Sequence, residues 1–243
     1  MGEQGGLDRD QLGAFHKCTR MFRHGNPNCT VILGPPGTGK TKTIGAVVKW
    51  AVSNAIGVVV ACPTGRAAVN ISESLSGNIQ ASAPCMTVDK LIMDIRYKKK
   101  ASLAPLFTMA EAVGGMVVID EVGMLSKRHY EDLVVAGLIN RHNIKLVLCG
   151  DCDQLPPPAS KPFYAHPLFL DKIRDGMVNY AVLRTNHRNG RCSKLSELLQ
   201  PFKTGVVTQR CLEILEEIAR KPFPDFVWLY IAQRHKNLHA WNE

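Results

Sequence analysis

Apolar residues in this chain follow two alternating rhythms. Short β-branched runs near 29–33, 57–62, 115–120 and 144–149 are apolar at nearly every position, which predicts strands buried on both faces. Near 40–54, 66–76 and 126–138 the apolar residues recur at helical spacing, which predicts helices packed by one face. Strands and helices in that order predict an α/β fold, a parallel sheet flanked by helices, with ligands collecting at the carboxyl ends of the strands. From 78 to 112 the rhythm weakens into an expected excursion of helix and loop. Beyond the fourth strand Leu155, Pro156, Pro157 and Pro158 break regular structure, and helical patterns resume near 192–203 and 208–220. The expected organisation is one α/β domain over 1–190 and, over 191–243, a helical linker with the start of a truncated second domain.

Composition narrows the class. With 243 residues and 45% hydrophobic content, the chain can bury a sizeable core. No apolar stretch reaches the roughly 18 residues that span a bilayer, and Met1 to Gly6 lack the pattern of a signal peptide, so the expected setting is cytosolic or nuclear, with no membrane partner. Eight cysteines in that setting predict reduced thiols, with Cys29, Cys62 and Cys149 acting as small buried hydrophobes. Cys149 and Cys152 have C-x-x-C spacing but no second pair to complete a zinc site. Thirty Lys and Arg against 21 Asp and Glu give a formal net charge of +9, which suits a polyanionic partner held by its phosphates. The basic cluster Arg96, Tyr97, Lys98, Lys99 and Lys100 either tracks phosphates or forms a solvated turn.

The candidate chemistry follows the strands. Gly34, Pro35, Pro36, Gly37, Thr38, Gly39, Lys40 and Thr41 spell G-x-x-x-x-G-K-T directly behind the apolar run Thr30 to Leu33, and Lys42 continues into the predicted helix. Glycines at those positions let backbone N–H groups turn around phosphates, the helix offers its positive end, Lys40 reaches the β/γ oxygens and Thr41 ligates Mg²⁺. Val117 to Ile119 then end in two acids: Asp120 is placed to hold Mg²⁺, and Glu121 to orient or deprotonate an attacking water. After the next strand comes Gln154, a neutral donor and acceptor suited to sense the γ-phosphate; read alone, this segment is equally a strand end followed by a Pro-rich turn.

In order and spacing these elements resemble the first, RecA-like motor domain of superfamily 1 helicases, the RecD, Pif and Upf branch, over about residues 7–190. Leu7 to Ala14 is similar to the Q motif, which implies that Gln11 reads the adenine edge. Ala61 to Ala68 resembles motif Ia, implying single-strand contacts by Pro63, Thr64 and Arg66, and Thr87 to Leu91 resembles the next strand-contacting motif, with Thr87 carried over although Asp89 stands where relatives often have His. Asp120 and Glu121 match motif II, and Gly150 to Pro157 match motif III. Leu183 to Arg188 resembles the run into motif IV, implying that Arg188 is the γ-phosphate arginine, with Arg184 competing for that role.

The resemblance implies a P-loop NTPase that takes ATP and Mg²⁺ and moves along single-stranded nucleic acid, DNA favoured over RNA. The family's later motifs are not found, so a second motor domain is expected from another chain or further sequence, and the isolated chain is expected to bind nucleotide but hydrolyse it slowly. A nucleotide-switched binding module is the alternative. A small-molecule kinase fits less well, because the acid pair and Gln154 suit attack by water and no acceptor-binding lid is evident.

Overall fold

A computed structural model describes residues 6–24, 27–75, 77–97, 114–135, 144–151, 154, 157, 161, 163, 166–187, 209 and 213. In chain order the elements are α1 (Arg9–His24), β1 (Cys29–Leu33), α2 (Lys40–Ser53), β2 (Gly57–Cys62), α3 (Gly65–Ser74), α4 (Gly77–Ser82), β3 (Cys85–Thr87) and α5 (Val88–Arg96). There follow β4 (Gly115–Ile119), a 3₁₀ turn (Val122–Met124), α6 (Lys127–Val135), β5 (Ile144–Gly150), α7 (Pro167–Arg174) and β6 (Val178–Val182).

The six strands form one parallel sheet in the order β3-β2-β4-β5-β1-β6. Every residue of β2, β4 and β5 is buried, which is why these strands carry apolar side chains on both faces. The two-residue period divides them between two cores. Val58, Val60, Met116, Val118 and Val147 face one core with α1, α2 and α3; Val59, Ala61, Val117, Ile119 and Leu148 face the other. In the second core Tyr130 of α6 meets Phe163 edge-on at 4.8 Å and packs on Phe169 at 6.0 Å.

The four expected strands and three expected helices form close to their expected bounds, and two further strands flank them. β3 is only three residues long, too short to show a period, and lies with α4 and α5 in the expected helix-and-loop excursion, of which 98–113 are outside the described residues. β6 is an edge strand whose burial is irregular, and Asn179 interrupts its apolar run. The chain divides into two compact units, Met1–Arg188 and Asn189–Glu243. All the elements above belong to the first; of the second, residues 209 and 213 are described, both helical and exposed. The expected helices at 192–203 and 208–220 otherwise lie outside the described residues. Among the described residues no helix is long and apolar enough to cross a membrane.

Candidate active site

The loop between β1 and α2 is shaped by what its glycines permit. Gly37 and Gly39 hold φ of 85° and 78°, the left-handed region where a Cβ is costly. A Cβ at Gly34 would stand 2.6 Å from Thr38 Oγ1 and 3.0 Å from the Leu183 carbonyl. The Gly34 N–H donates to the Gly150 carbonyl at 3.1 Å, tying the loop to the end of β5. Thr38 is buried and donates its hydroxyl to the Pro35 carbonyl at 2.9 Å. Gly39 caps α2 without a side chain, and the first turn of that helix has no acid, so its N–H groups and positive dipole end face the cleft. Lys40 folds back over the loop, donating to the carbonyls of Gly34 at 2.6 Å and Pro35 at 3.1 Å. Thr41 and Lys42 are exposed, the latter donating to the Gly6 carbonyl.

β4 delivers the two acids. Asp120 is 9% exposed; its Oδ1 accepts the Glu121 N–H at 2.9 Å, and its own N–H donates to the Ala61 carbonyl at 3.0 Å. Burial pushes its carboxyl above the ordinary carboxylate range, opposed by the Glu121 N–H and the Lys40 charge. Glu121 adopts φ 52° and ψ 40°, a left-handed conformation that costs a non-glycine residue on the order of 1 kcal/mol or more. The tight 3₁₀ turn after it explains how that conformation is held. A Cβ on Gly150 would lie 2.8 Å from Val122 Cγ1, and one on Gly123 would lie 2.9 Å from the Asp151 carbonyl, so the turn and the end of β5 are in backbone contact.

Loop and acids open on one cavity of about 580 Å³, lined by Pro36, Gly37, Gly39, Lys40, Thr41 and Lys42 on one side and by Asp120, Glu121, Gly150, Gln154 and His187 on the other. The expected phosphate loop, acid pair and Gln154 are therefore brought together. Glycines that admit no Cβ, undecorated helix N–H groups, two lysine ammonium groups, a hydroxyl and two carboxylates form a set of groups that fits a magnesium-bound triphosphate. Arg188 lies outside the described residues, as do Cys152 and residues 98–100.

Gln11 stands behind the loop, 1% exposed and outside the cavity lining. It forms a reciprocal cap with Asp8: the Gln11 N–H donates to Asp8 Oδ1 at 2.8 Å and the Asp8 N–H to Gln11 Oε1 at 3.1 Å, while Gln11 Nε2 donates to the Thr38 carbonyl at 3.0 Å. A strap after β6 closes the same corner. His187 donates its N–H to the Gly37 carbonyl at 2.8 Å and sets Nε2 2.6 Å from Asp8 Oδ2; Asn186 donates to the Pro36 carbonyl at 3.1 Å, and the Arg184 N–H donates to Asp10 Oδ2 at 3.0 Å. Burial pushes the Asp8 carboxyl up, but the bonds from Gln11 and His187 outweigh it and hold the carboxyl below its ordinary value. Sequence reasoning passed over Asp8 and His187 as site residues. The D-x-x-Q pattern of a capping box was the available signal for the first; for His187 there was only its place in the Asn186 to Arg188 run.

The expected strand-contacting residues form a separate group. Cys62 and Thr87 are register partners at the carboxyl ends of β2 and β3, which sets Pro63, Thr64 and Arg66 beside Thr87. Thr64 caps α3 by accepting the Ala67 N–H at 3.2 Å, and Thr87 caps α5 by accepting the Lys90 N–H at 3.2 Å. Arg66 is exposed. Near them Ser126, His129 and Asp89 stand in a row at 2.9 and 3.4 Å, but Ser126 also accepts the His129 N–H at 3.4 Å, the geometry of a helix cap rather than of a nucleophile.

A family model described as "AAA domain" matches residues 7–218. The chain is 29% identical over 143 residues to the RecBCD enzyme subunit RecD of Buchnera aphidicola, covering 54% of this chain and 23% of that one. It is 27% identical over 175 residues to the RecBCD enzyme subunit RecD of Mycobacterium tuberculosis, covering 67% of this chain and 30% of the relative. The chain thus spans less than a third of the length of these relatives. The crystal structure of Pif1 helicase from Candida albicans superposes with a TM-score of 0.63 at 22% identity, over 90% of this chain and 48% of the other, a likeness of fold.

Proposed function

The chain belongs to the AAA domain family and has a RecA-like fold, and on that premise we propose that it is the ATP-hydrolysing motor lobe of a helicase that moves along single-stranded nucleic acid, DNA in preference to RNA. The observation that carries this reading is the convergence of Lys40, Thr41, Asp120, Glu121 and Gln154 on one cavity. The loop N–H groups and the start of α2 receive the phosphates, and the Lys40 ammonium exchanges the carbonyls of Gly34 and Pro35 for phosphate oxygens. Thr41 and Asp120 would hold Mg²⁺, which when bound neutralises charge on the β- and γ-oxygens. Glu121 orients the attacking water and takes its proton, and Gln154 donates toward the γ-phosphate. The Asp8–Gln11 cap and the strap at Asn186 and His187 brace the loop.

Pro63, Thr64, Arg66 and Thr87 supply a strand-contacting edge next to the cleft's sheet, and the spelling of Thr64 to Ala68 resembles the Pif and RecD relatives, which supports DNA. Arg188 completes the γ-phosphate contacts in this reading. An arginine from a second motor lobe would add charge stabilisation on the order of 10³-fold in rate. The test is ATP turnover by the wild type and Lys40→Ala, each with and without single-stranded DNA or RNA. Strand-stimulated turnover that falls at least about 100-fold in Lys40→Ala is expected; equal turnover in both proteins overturns the reading. Tight ATP binding with no stimulation by any strand would assign a nucleotide-switched binding module instead.

A further inference from the structure

Helix α1 carries a charged face that the nucleotide cleft does not use. Arg9, His16, Arg20 and Arg23 share one narrow stripe on a 3.6-residue period, and all four are exposed, as is Lys17 beside them. The opposite face is fixed: Ala14, Cys18 and Met21 are fully buried, and the helix packs on α2, β1 and β6. The two acids at its start are engaged elsewhere, Asp8 with His187 at 2.6 Å and Asp10 with the Arg184 N–H at 3.0 Å. Among the described residues Arg9, Arg20 and Arg23 have no carboxylate partner. At a rise of about 1.5 Å per residue the row from Arg9 to Arg23 is about 21 Å long.

This row lies far from the expected strand contacts. Thr64, Arg66 and Thr87 follow β2 and β3, whereas α1 packs at β1 and β6, and β3 and β6 are opposite edges of the sheet. Strand spacing of about 4.8 Å puts about 24 Å between those edges. The row also differs in kind. Single strands are gripped by charge together with aromatic platforms, and the α1 stripe carries no Phe, Tyr or Trp: Phe15 is buried and Phe22, half-buried, packs against Trp50 at 5.8 Å, which leaves His16 as the exposed ring. A row dominated by cations, with one imidazole as its exposed ring, matches a backbone whose bases are already stacked inside a helix.

We propose that the α1 stripe is a second nucleic-acid surface, one that docks the phosphate backbone of a duplex while β2 and β3 present the single-strand edge. The proposal rests on the reading of this chain as a nucleic-acid motor. It is tested without nucleotide, by fluorescence anisotropy of a short blunt duplex and of a single-stranded oligonucleotide between about 50 and 200 mM salt. The wild type is compared with the triple variant Arg9→Gln, Arg20→Gln, Arg23→Gln. Glutamine preserves helix propensity, and unchanged thermal melting checks the fold. Each lost duplex phosphate contact lowers the slope of log K against log salt by about 0.9, so the duplex slope should fall by about 2 to 3 while the single-strand slope stays put.

An unchanged duplex slope overturns the proposal. So does an equal fall for both probes, which would mark undirected attraction. Loss of binding to phosphatidylserine vesicles with duplex binding intact would assign the stripe to a lipid surface and also overturn it. Because no ATP is present, failed hydrolysis in the turnover experiment leaves this result readable, whereas a wild type that binds neither probe sinks the nucleic-acid reading itself.

Discussion

Gly39 shows how much of the site one residue type decides. Its φ of 78° and the collision that a Cβ would make with Gln11 Nε2 both require glycine, so Gly39→Ala should displace the loop and weaken ATP binding by 10-fold or more, as read by titration with a fluorescent nucleotide (about 1.4 kcal/mol). Asp8 is the residue whose role was hidden. Asp8→Ala removes the helix cap and the tie to His187 and should cost about 1 kcal/mol by urea denaturation, while Asp8→Asn, which still caps, should cost less. The Asp8 carboxyl is held below its ordinary value of 3.8, so its charge stabilises the folded chain above that pH. That stability is lost as pH falls through the lowered value, so the gap between wild type and Asp8→Asn, open at neutral pH, should close below pH 3.8; a gap that persists there would contradict the assignment. The phosphate loop was legible because its backbone demands glycine, lysine and threonine at fixed spacing. The Asp8–His187 contact was not, because it joins residues 179 apart in the chain and has no local signature.

At the scale of elements, legibility followed burial. β2, β4 and β5 are covered on both faces, so their sequences are apolar at every position but Lys145 and their bounds could be read directly. The edge strands β3 and β6 lack that constraint, one by brevity and the other by exposure, and only their pairing with β2 and β1 defines them. The same logic predicts where substitutions hurt. Ile119 is fully buried at the end of β4, next to Asp120, and Ile119→Ala should cost about 2 to 5 kcal/mol in urea. Cys18 and Cys62, both buried, have thiols pushed up to about 12 by desolvation, so neither should react with iodoacetamide near pH 8 until the protein is unfolded, as mass spectrometry would report.

For the molecule as a whole, the sheet order sets the division of labour. β1, β4 and β5 are adjacent in the middle of the sheet, so the phosphate loop, the acid pair and Gln154 emerge at neighbouring carboxyl ends, while β2 and β3 carry the strand-contacting residues to one side. Strand order could not be read from the sequence, because it depends on which strands pair, and the central strands are alike in being predominantly apolar. The net charge of +9 was legible as a preference for polyanions, but that Arg9, Arg20 and Arg23 share one exposed stripe needed α1 to be placed.

The central claim is that this cavity hydrolyses a nucleoside triphosphate with Glu121 handling the water. Its most direct test is single-turnover hydrolysis of radiolabelled ATP by wild type and Glu121→Gln, with nucleotide affinity measured alongside. The expected result is ATP binding within about threefold of wild type and hydrolysis slowed by at least 100-fold (about 2.7 kcal/mol). Hydrolysis at the wild-type rate in Glu121→Gln would contradict the account.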